Sequence, residues 1–420
     1  MPRLRFRLPD RETIRRSPNG LQMLETIEND FPEKNILITG CPGSGKTTVS
    51  IHRFIHQVLR PNPRRIQLLT FGRLLNEAIA DTLRHEGVDH PSINTLCRWY
   101  SRLTGGEWFY ADGNTNLPTA AAILARLQPI LAASPLDELI IDEGQDVHIK
   151  GFQSLPHLAT KFTVGGDGAQ PVYDRGVQDV DQIERSLIND IGGGIRYCPL
   201  EYIYRTSCVA YDFHRRFAPD VPSANEPAIL DILRGFNPGE EDDKPRIYTY
   251  NDDAHFRQRV AQILDQAILG EDSLVAILVP NKADVDHMAG VVRSIQHNGA
   301  PRRCSIYYYG ETPRAQVENI LITTFKSAKG MEFETVIIPK LPDHTEMNWP
   351  DVGPQNSAQA RQSKNWRRQC LVACTRARSR LHIFCHGGLH PILRPENFPA
   401  NKYVMRDLAA PPQQHNPLPF

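Results

Sequence analysis

ILITGCPGSGKTT, residues 36–48, delivers a short apolar run straight into the pattern G-x-x-x-x-G-K-T. A strand that ends in such a loop and then feeds a helix is built to grip a polyphosphate. Gly40, Gly43 and Gly45 let the backbone come close and aim a row of N–H groups at the anion. Lys46 adds a point charge for the terminal phosphates, and Thr47 offers a hydroxyl to Mg²⁺. Gly43, Ser44, Gly45, Lys46, Thr47 and Thr48 are therefore expected to bind a nucleoside triphosphate. Ile51, Phe54, Ile55, Val58 and Leu59 follow at helical spacing. The positive end of that helix dipole would point at the same spot.

Outward from this loop, the chain has 420 residues, enough for more than one domain. Its 48 basic and 48 acidic side chains balance, which excludes a polyanion-coating role and confines any nucleic-acid site to a local groove. The eight cysteines form no C-x-x-C pair and no metal spacing, so reduced, mostly buried thiols are expected. No apolar stretch reaches membrane-spanning length, and the basic start MPRLRFRLPDRETIRR lacks the apolar core of a signal peptide. A cytoplasmic location without membrane contact is the expectation.

Short apolar strands alternate with helical stretches through about Phe217, with strands expected at 36–39, 66–70, 139–141 and 162–165. This alternation implies an α/β domain, a parallel sheet covered by helices, over residues 1–218. Residues 219–245, rich in Pro, Gly and acid, read as a linker or irregular crossover. A second α/β domain is expected over 246–390, with strands Val275–Val279, Ile320–Thr324, Thr335–Ile338 and Leu381–Phe384 and helices at 254–269 and 284–297. The Pro-rich tail, 391–420, is expected to be partly disordered. A ligand between the two domains is the natural consequence.

LIIDEGQD, residues 139–146, ends an apolar strand in adjacent acids. Asp142 is placed to hold Mg²⁺, and Glu143 to accept a proton from an attacking water. By itself the pair could be an ordinary acidic turn; downstream of a phosphate loop it reads as chemistry. A third strand, Phe162–Gly165, runs into GGDGAQPVY, which brings Asp167 and Gln170 to the same sheet edge. The Gln170 amide can orient water or contact the terminal phosphate, unless the segment is only a glycine-rich turn.

Taken in order, these segments resemble the superfamily 1 helicases of the UvrD-like group, in a compact form. The resemblance continues through Thr70–Phe71, SINTLCRWY around Thr95, LEYIYRT at 200–206, TTFKSAKGMEFETVII at 323–338 and WRRQCLVACTRARSRL at 366–381. It implies two RecA-like P-loop domains clamping ATP and Mg²⁺ in an interdomain cleft, with a single strand crossing both. Arg205 and Arg376 would then be cationic fingers on the γ-phosphate, a role suited to a permanent charge and planar fork. Tyr204 would stack on adenine, Gln22 would read its edge, and Glu332 would touch the ribose. Gln22 is also readable as a helix-surface glutamine. Thr70, Phe71, Thr95, Lys326 and Lys329 would contact nucleic acid. Phe71 is equally readable as core, and Lys329 as an interdomain anchor. Arg73, Arg98 and the basic arm Arg3–Arg16 are further strand candidates.

The chain departs from the family pattern at Tyr173-Asp174-Arg175-Gly176, which lacks the usual stacking aromatic, and at Cys97 and Lys326, which replace histidines. Trp99 and Tyr100, after Cys97, are expected to pack in the core. Full-sized members carry accessory domains in the spans matching Thr95–Leu139 and Arg205–Thr323, and the shortness of these spans implies that those domains are absent or vestigial. The implied activity is ATP hydrolysis driving movement on single-stranded DNA, 3′ to 5′ by family habit, with DNA favoured over RNA. The alternative is a nucleotide- or nucleic-acid-sensing ATPase subunit regulating a partner such as a nuclease, for example in an anti-phage complex. A small-molecule kinase leaves TTFKSAKGMEFE and VACTRAR without a purpose.

Overall fold

Aliphatic runs such as Ile36–Ile38 and Val275–Val279 carry no polar alternation, so both of their faces must be covered. In the computed structural model each lies inside a parallel sheet with helices packed around it. The structure describes residues 2–88, 92–105, 119–133, 135–155, 158–167, 180–219, 227–270, 273–308, 311, 313, 316–342 and 358–408.

The first sheet has six strands: β1 (Asn35–Gly40), β2 (Ile66–Thr70), β3 (Ile93–Thr95), β4 (Leu136–Ile141), β5 (Ala159–Gly166) and β6 (Ile195–Leu200). Their order is β3-β2-β4-β5-β1-β6, and every pairing is parallel. The accompanying helices are α1 (Arg11–Arg16), α2 (Gly20–Glu28), α3 (Lys46–Leu59), α4 (Arg73–His85), α5 (Leu96–Thr104) and α6 (Ala120–Ala132). They continue with α7 (Ile149–Ser154), α8 (Val180–Ser186) and α9 (Cys208–His214). Under the sheet, Arg53 of α3 forks onto Glu138 of β4 at 2.6 and 3.1 Å, and its remaining N–H groups reach the carbonyls of Thr26 and Asn29. This fully buried pair ties the helix behind the phosphate loop to the strand that carries the acids.

After α10 (Pro227–Phe236) the second sheet begins, with β7 (Arg246–Tyr250), α11 (Asp253–Ala267), β8 (Val275–Val279) and α12 (Lys282–Ser294). A small antiparallel hairpin, β9 (Gln296–His297) with β10 (Ala300–Pro301), leads to β11 (Ser305–Tyr307) and β12 (Ile320–Thr324). The sheet is completed by β13 (Phe333–Ile338), α13 (Ala358–Cys374), β14 (Ala377–His386) and β15 (Val404–Asp407). Its seven strands run β11-β12-β8-β13-β14-β7-β15, all pairings parallel. The expected fold, two RecA-like α/β domains, is the observed one.

Two segments differ from expectation. The supposed linker, 219–245, contains α10, whose Ile229 and Leu233 are buried against Cys41, Ile203 and Tyr211. Of the tail expected to be partly disordered, residues 391–408 are folded. Apolar residues hidden among its prolines cause this: Ile392, Leu393 and Phe398 are buried, and the Phe398 ring lies 4.9 Å from both Phe213 and Phe217. β15 then extends the sheet alongside β7, and residues 409–420 lie outside the described residues.

The start of the basic arm, a nucleic-acid candidate, packs against both domains, whereas Arg5, Arg7, Arg11, Arg15 and Arg16 are exposed. Leu4 is buried, the Arg3 guanidinium lies 2.7 Å from Asp81 of α4, and the Pro2 carbonyl accepts from Val317 N–H at 3.0 Å. The arm therefore straps the first domain to the segment that precedes β12. Nearby, Gly330 has φ 79°, and a Cβ there would sit 2.6 Å from the Leu75 side chain. Only glycine permits that approach of the second domain to α4. One continuous apolar core includes Leu68, Leu75 and Ile140 from the first domain with Leu278, Phe325 and Ile338 from the second. Among the described residues, no helix is long and apolar enough to cross a membrane.

Candidate active site

Register fixes the site before any side chain is considered. β4, β5 and β1 lie side by side, with Ile141 opposite Val164 and Thr39 opposite Gly166. The loop after Gly40, the acids at Asp142 and Glu143, and Asp167 therefore emerge along one carboxyl edge, where open α/β sheets bind ligands.

In the phosphate loop, Lys46 Nζ donates to the carbonyls of Gly40 and Cys41 at 2.7 and 3.0 Å and pairs with Asp167 at 3.4 Å. Gly43 has φ 83°, and a Cβ there would lie 2.7 Å from Arg205 Cβ. The Gly43 carbonyl also accepts from Tyr204 N–H at 3.0 Å, so the 204–205 segment rests directly on the loop. Gly45 caps α3, placing Lys46, Thr47 and Thr48 in its first turn. Ser44 Oγ is buried with no hydrogen-bond partner among the described residues. An orphaned buried hydroxyl, a backbone nest and a lysine are the donor set that a polyphosphate requires.

Thr47 Oγ1 donates to Asp142 Oδ2 at 2.9 Å. Burial, and then the like charge of Glu143, push the Asp142 carboxyl up to about 7 despite Thr47 and Lys46. Two adjacent buried acids beside a threonine hydroxyl fit a divalent cation, which would relieve their repulsion. Glu143, at φ 59°, behaves oppositely. Burial pushes its carboxyl up, but Lys329, Lys46, Arg376 and the Gln145 amide outweigh burial and hold it below the usual range. The environment pushes the two neighbouring carboxyls apart, Asp142 upward and Glu143 downward.

Gln145 was not singled out from the sequence, although it lies within LIIDEGQD. Its Nε2 donates to Glu143 at 2.6 Å, and its Oε1 accepts from Asp167 N–H at 3.1 Å, so one amide locks the two loop ends together. Lys329, expected on nucleic acid, is buried instead. Its Nζ lies 2.6 Å from Asp146 and 3.5 Å from Glu143, the interdomain anchor of the two readings. The correction has a simple cause: two carboxylates on the facing domain attract the ammonium inward.

Opposing charges come from both domains: Arg205 from the first, and Arg376 from the second. Arg205 Nε lies 3.1 Å from Glu332, and Nη1 donates to the Thr375 carbonyl at 3.4 Å. Burial pushes the Glu332 carboxyl up, but Arg205, Arg378 and Arg376 hold it low. Here Glu332 binds an arginine rather than standing free for a ribose. Arg376, at the turn between α13 and β14, is buried and donates to the Val372 and Met331 carbonyls and to Thr375 Oγ1 at 2.9, 3.0 and 3.0 Å. Burial and neighbouring Arg205 bring its guanidinium down to about 9, against the attraction of Glu143, Glu332 and Asp167. Arg376 thus shares one electrostatic environment with first-domain acids.

On the far side of the loop, Tyr204 Oη accepts from Asn19 N–H at 3.3 Å. Gln22 follows in α2, half-buried, and a Cβ on Gly45 would lie 3.2 Å from neighbouring Met23 Cε. The helix that carries Gln22 therefore lies against the phosphate loop.

The strand-contact candidates divide. Thr70 and Thr95 sit opposite each other at the carboxyl ends of β2 and β3, but both are buried, and Thr95 Oγ1 caps α5 by accepting from Arg98 N–H at 3.3 Å. Phe71 is half-buried; Lys326, Arg73 and Arg98 are exposed. Trp99 and Tyr100 pack in the core as expected. Gln170 and the Tyr173–Gly176 segment lie outside the described residues.

Comparison with known proteins follows the same division of the chain. A family model described as an AAA domain matches residues 23–174, and one described as a UvrD-like helicase C-terminal domain matches residues 308–387. No curated protein matches the chain. Among solved structures, S. cerevisiae Dbp5 bound to RNA and ADP BeF3 is 11% identical, covering 94% of this chain and 90% of that one, with a TM-score of 0.50. That likeness speaks to the fold. The C-terminal domain of a possible DNA helicase from Lactobacillus plantarum is 16% identical, covering 49% of this chain and 99% of that one, at a TM-score of 0.32.

Proposed function

The chain belongs to the UvrD-like superfamily 1 helicases, and on that premise we propose that it hydrolyses ATP to move 3′ to 5′ along single-stranded DNA. The observation that carries this reading is Glu143, which feels Lys46 of its own domain together with Lys329 and Arg376 of the other. Lys329 Nζ lies 3.5 Å from Glu143, so closing the domains brings second-domain charge to the acid beside the phosphate loop. Domain closure and phosphate chemistry are thereby linked, as a motor requires.

In this reading Gly43, Ser44, Gly45, Lys46, Thr47 and Thr48 hold the phosphates. Thr47 and Asp142 would hold Mg²⁺, which when bound would neutralise charge on the phosphate oxygens. Glu143 takes the proton of the attacking water, oriented by Gln170. Arg205 and Arg376 exchange their present partners, Glu332 and backbone carbonyls, for the γ-phosphate. Tyr204 and Gln22 meet the adenine, and Glu332, once released by Arg205, meets the ribose. Phe71 offers a stacking face, worth about 1–3 kcal/mol per base and indifferent to sequence. Exposed Lys326 meets the strand's phosphates, and Thr70 and Thr95 shape the floor beneath.

The test is ATPase rate with and without single strands of DNA and RNA. DNA should raise the rate many-fold, and log affinity should fall with log salt at a slope of about −0.7 per neutralised phosphate. Translocation on end-labelled strands of both polarities then reads direction. A chain stimulated by neither nucleic acid is no motor. The second reading, a sensing subunit beside a partner nuclease, draws support from the span between β3 and β4, where the described elements are only α5 and α6. Strand displacement by the isolated chain would count against it.

A further inference from the structure

α10 lies in the segment that the sequence presents as a linker, yet it ends on the nucleotide side of the first domain. Its last residue, Phe236, is partly exposed and meets two tyrosines edge-on: Tyr202 at 5.4 Å and Tyr204 at 5.5 Å between ring centroids. The helix is anchored there. Ile229 and Leu233 are buried with Cys41 of the phosphate loop, and the Asn237 carbonyl accepts from Cys208 N–H at 2.8 Å. Tyr204 is otherwise fixed at its backbone, by the Gly43 carbonyl, and at its hydroxyl, by Asn19 N–H. Between those points Phe236 meets the ring edge-on, with the two planes at 90°.

We propose that Phe236 is a positioning residue for the nucleotide base, holding the Tyr204 ring so that base recognition is built partly by the segment joining the domains. The inference rests on the reading that places ATP on the phosphate loop with its base at Tyr204. A ring already fixed loses little freedom when a base stacks on it, so affinity for the base depends on the buttress. The phosphate grip does not, because it belongs to residues 43–48. Removing the buttress should therefore weaken ATP and spare a ligand that has phosphates and no base.

The experiment titrates ATP and inorganic tripolyphosphate into the full chain and into Phe236→Ala, Phe236→Leu, Phe236→Tyr and Tyr204→Ala variants, with steady-state ATPase alongside. Phe236→Ala and Phe236→Leu should raise Kd and KM for ATP about 2- to 13-fold, the span of an edge-to-face aromatic pair. Tripolyphosphate affinity and kcat should stay within about twofold, and Phe236→Tyr should restore ATP binding. The leucine variant keeps apolar volume without the ring and guards against a packing defect in the alanine. Wild-type ATP affinity in both the alanine and leucine variants overturns the inference; so does a parallel loss of both ligands, which marks a merely structural role. If the wild-type chain binds neither ligand, or Tyr204→Ala leaves ATP affinity intact, the underlying site reading fails instead.

Discussion

Glu143→Gln removes one charge and almost no volume, from a carboxylate wedged between two domains. The Gln145 amide at 2.6 Å keeps an oxygen to meet, and Lys329 keeps its closer partner, Asp146, also at 2.6 Å. What disappears is the proposed proton acceptor, so kcat should fall about 10²- to 10⁴-fold. That is about 3–5 kcal/mol of barrier. Two smaller terms act on stability and oppose each other. Asp142, raised from an ordinary 3.8 to about 7, costs the fold stability as pH climbs from 3.8 to 7, and losing the Glu143 charge relieves part of that cost. Glu143 itself, held below 4.5, stabilises the fold above that pH through its cations, and this contribution is lost. At pH 7 the melting temperature should therefore move little while turnover collapses and ATP affinity persists. Single-turnover ATPase, nucleotide titration and thermal melts at pH 5 and 7 read the three quantities. Hydrolysis at the wild-type rate would refute the proton-acceptor role.

Two further outcomes test the fold beneath the site. Arg53→Met leaves Glu138 ionised and buried without its partner, so it should cost about 3–5 kcal/mol in denaturant melts. Adding Glu138→Leu should recover part of the loss; equal stability of the single variant and wild type would contradict the buried pair. A chain stopped after His390 exposes the surface beneath Ile392, Leu393, Phe398 and Tyr403, each worth about 1.5–3 kcal/mol when buried. Such a chain should melt well below the full one, whereas an unchanged melt would contradict the packing of residues 391–408.

The parts of this structure legible in its sequence are those where one physical requirement dominates. Ile36–Ile38, Val275–Val279 and Ile320–Ile322 are apolar throughout because both faces of their sheets are covered, and each was readable as part of a buried strand. β6 was not, because IRYCPL carries Arg196 and Pro199, residues that an edge strand tolerates. β3 and β11, at three residues each, are too short to show a period. The ordered tail escaped notice because its buried residues are spread among prolines and complete a core made elsewhere in the chain. In the site, local pattern marked Lys46, Thr47, Asp142 and Glu143. Pairings across the domains were harder. Whether Lys329 faces a strand or two carboxylates depends on how closely Gly330 brings the second domain to Leu75, a distance that no local pattern encodes.

The central claim is that an arginine of the second domain acts on a triphosphate held by the first. The direct measurement is ATP turnover by Arg376→Ala at saturating ATP and single-stranded DNA, with ATP affinity measured in parallel. The account predicts a loss of about 10³- to 10⁵-fold in kcat, with affinity only modestly weakened. Turnover equal to the wild type would contradict it.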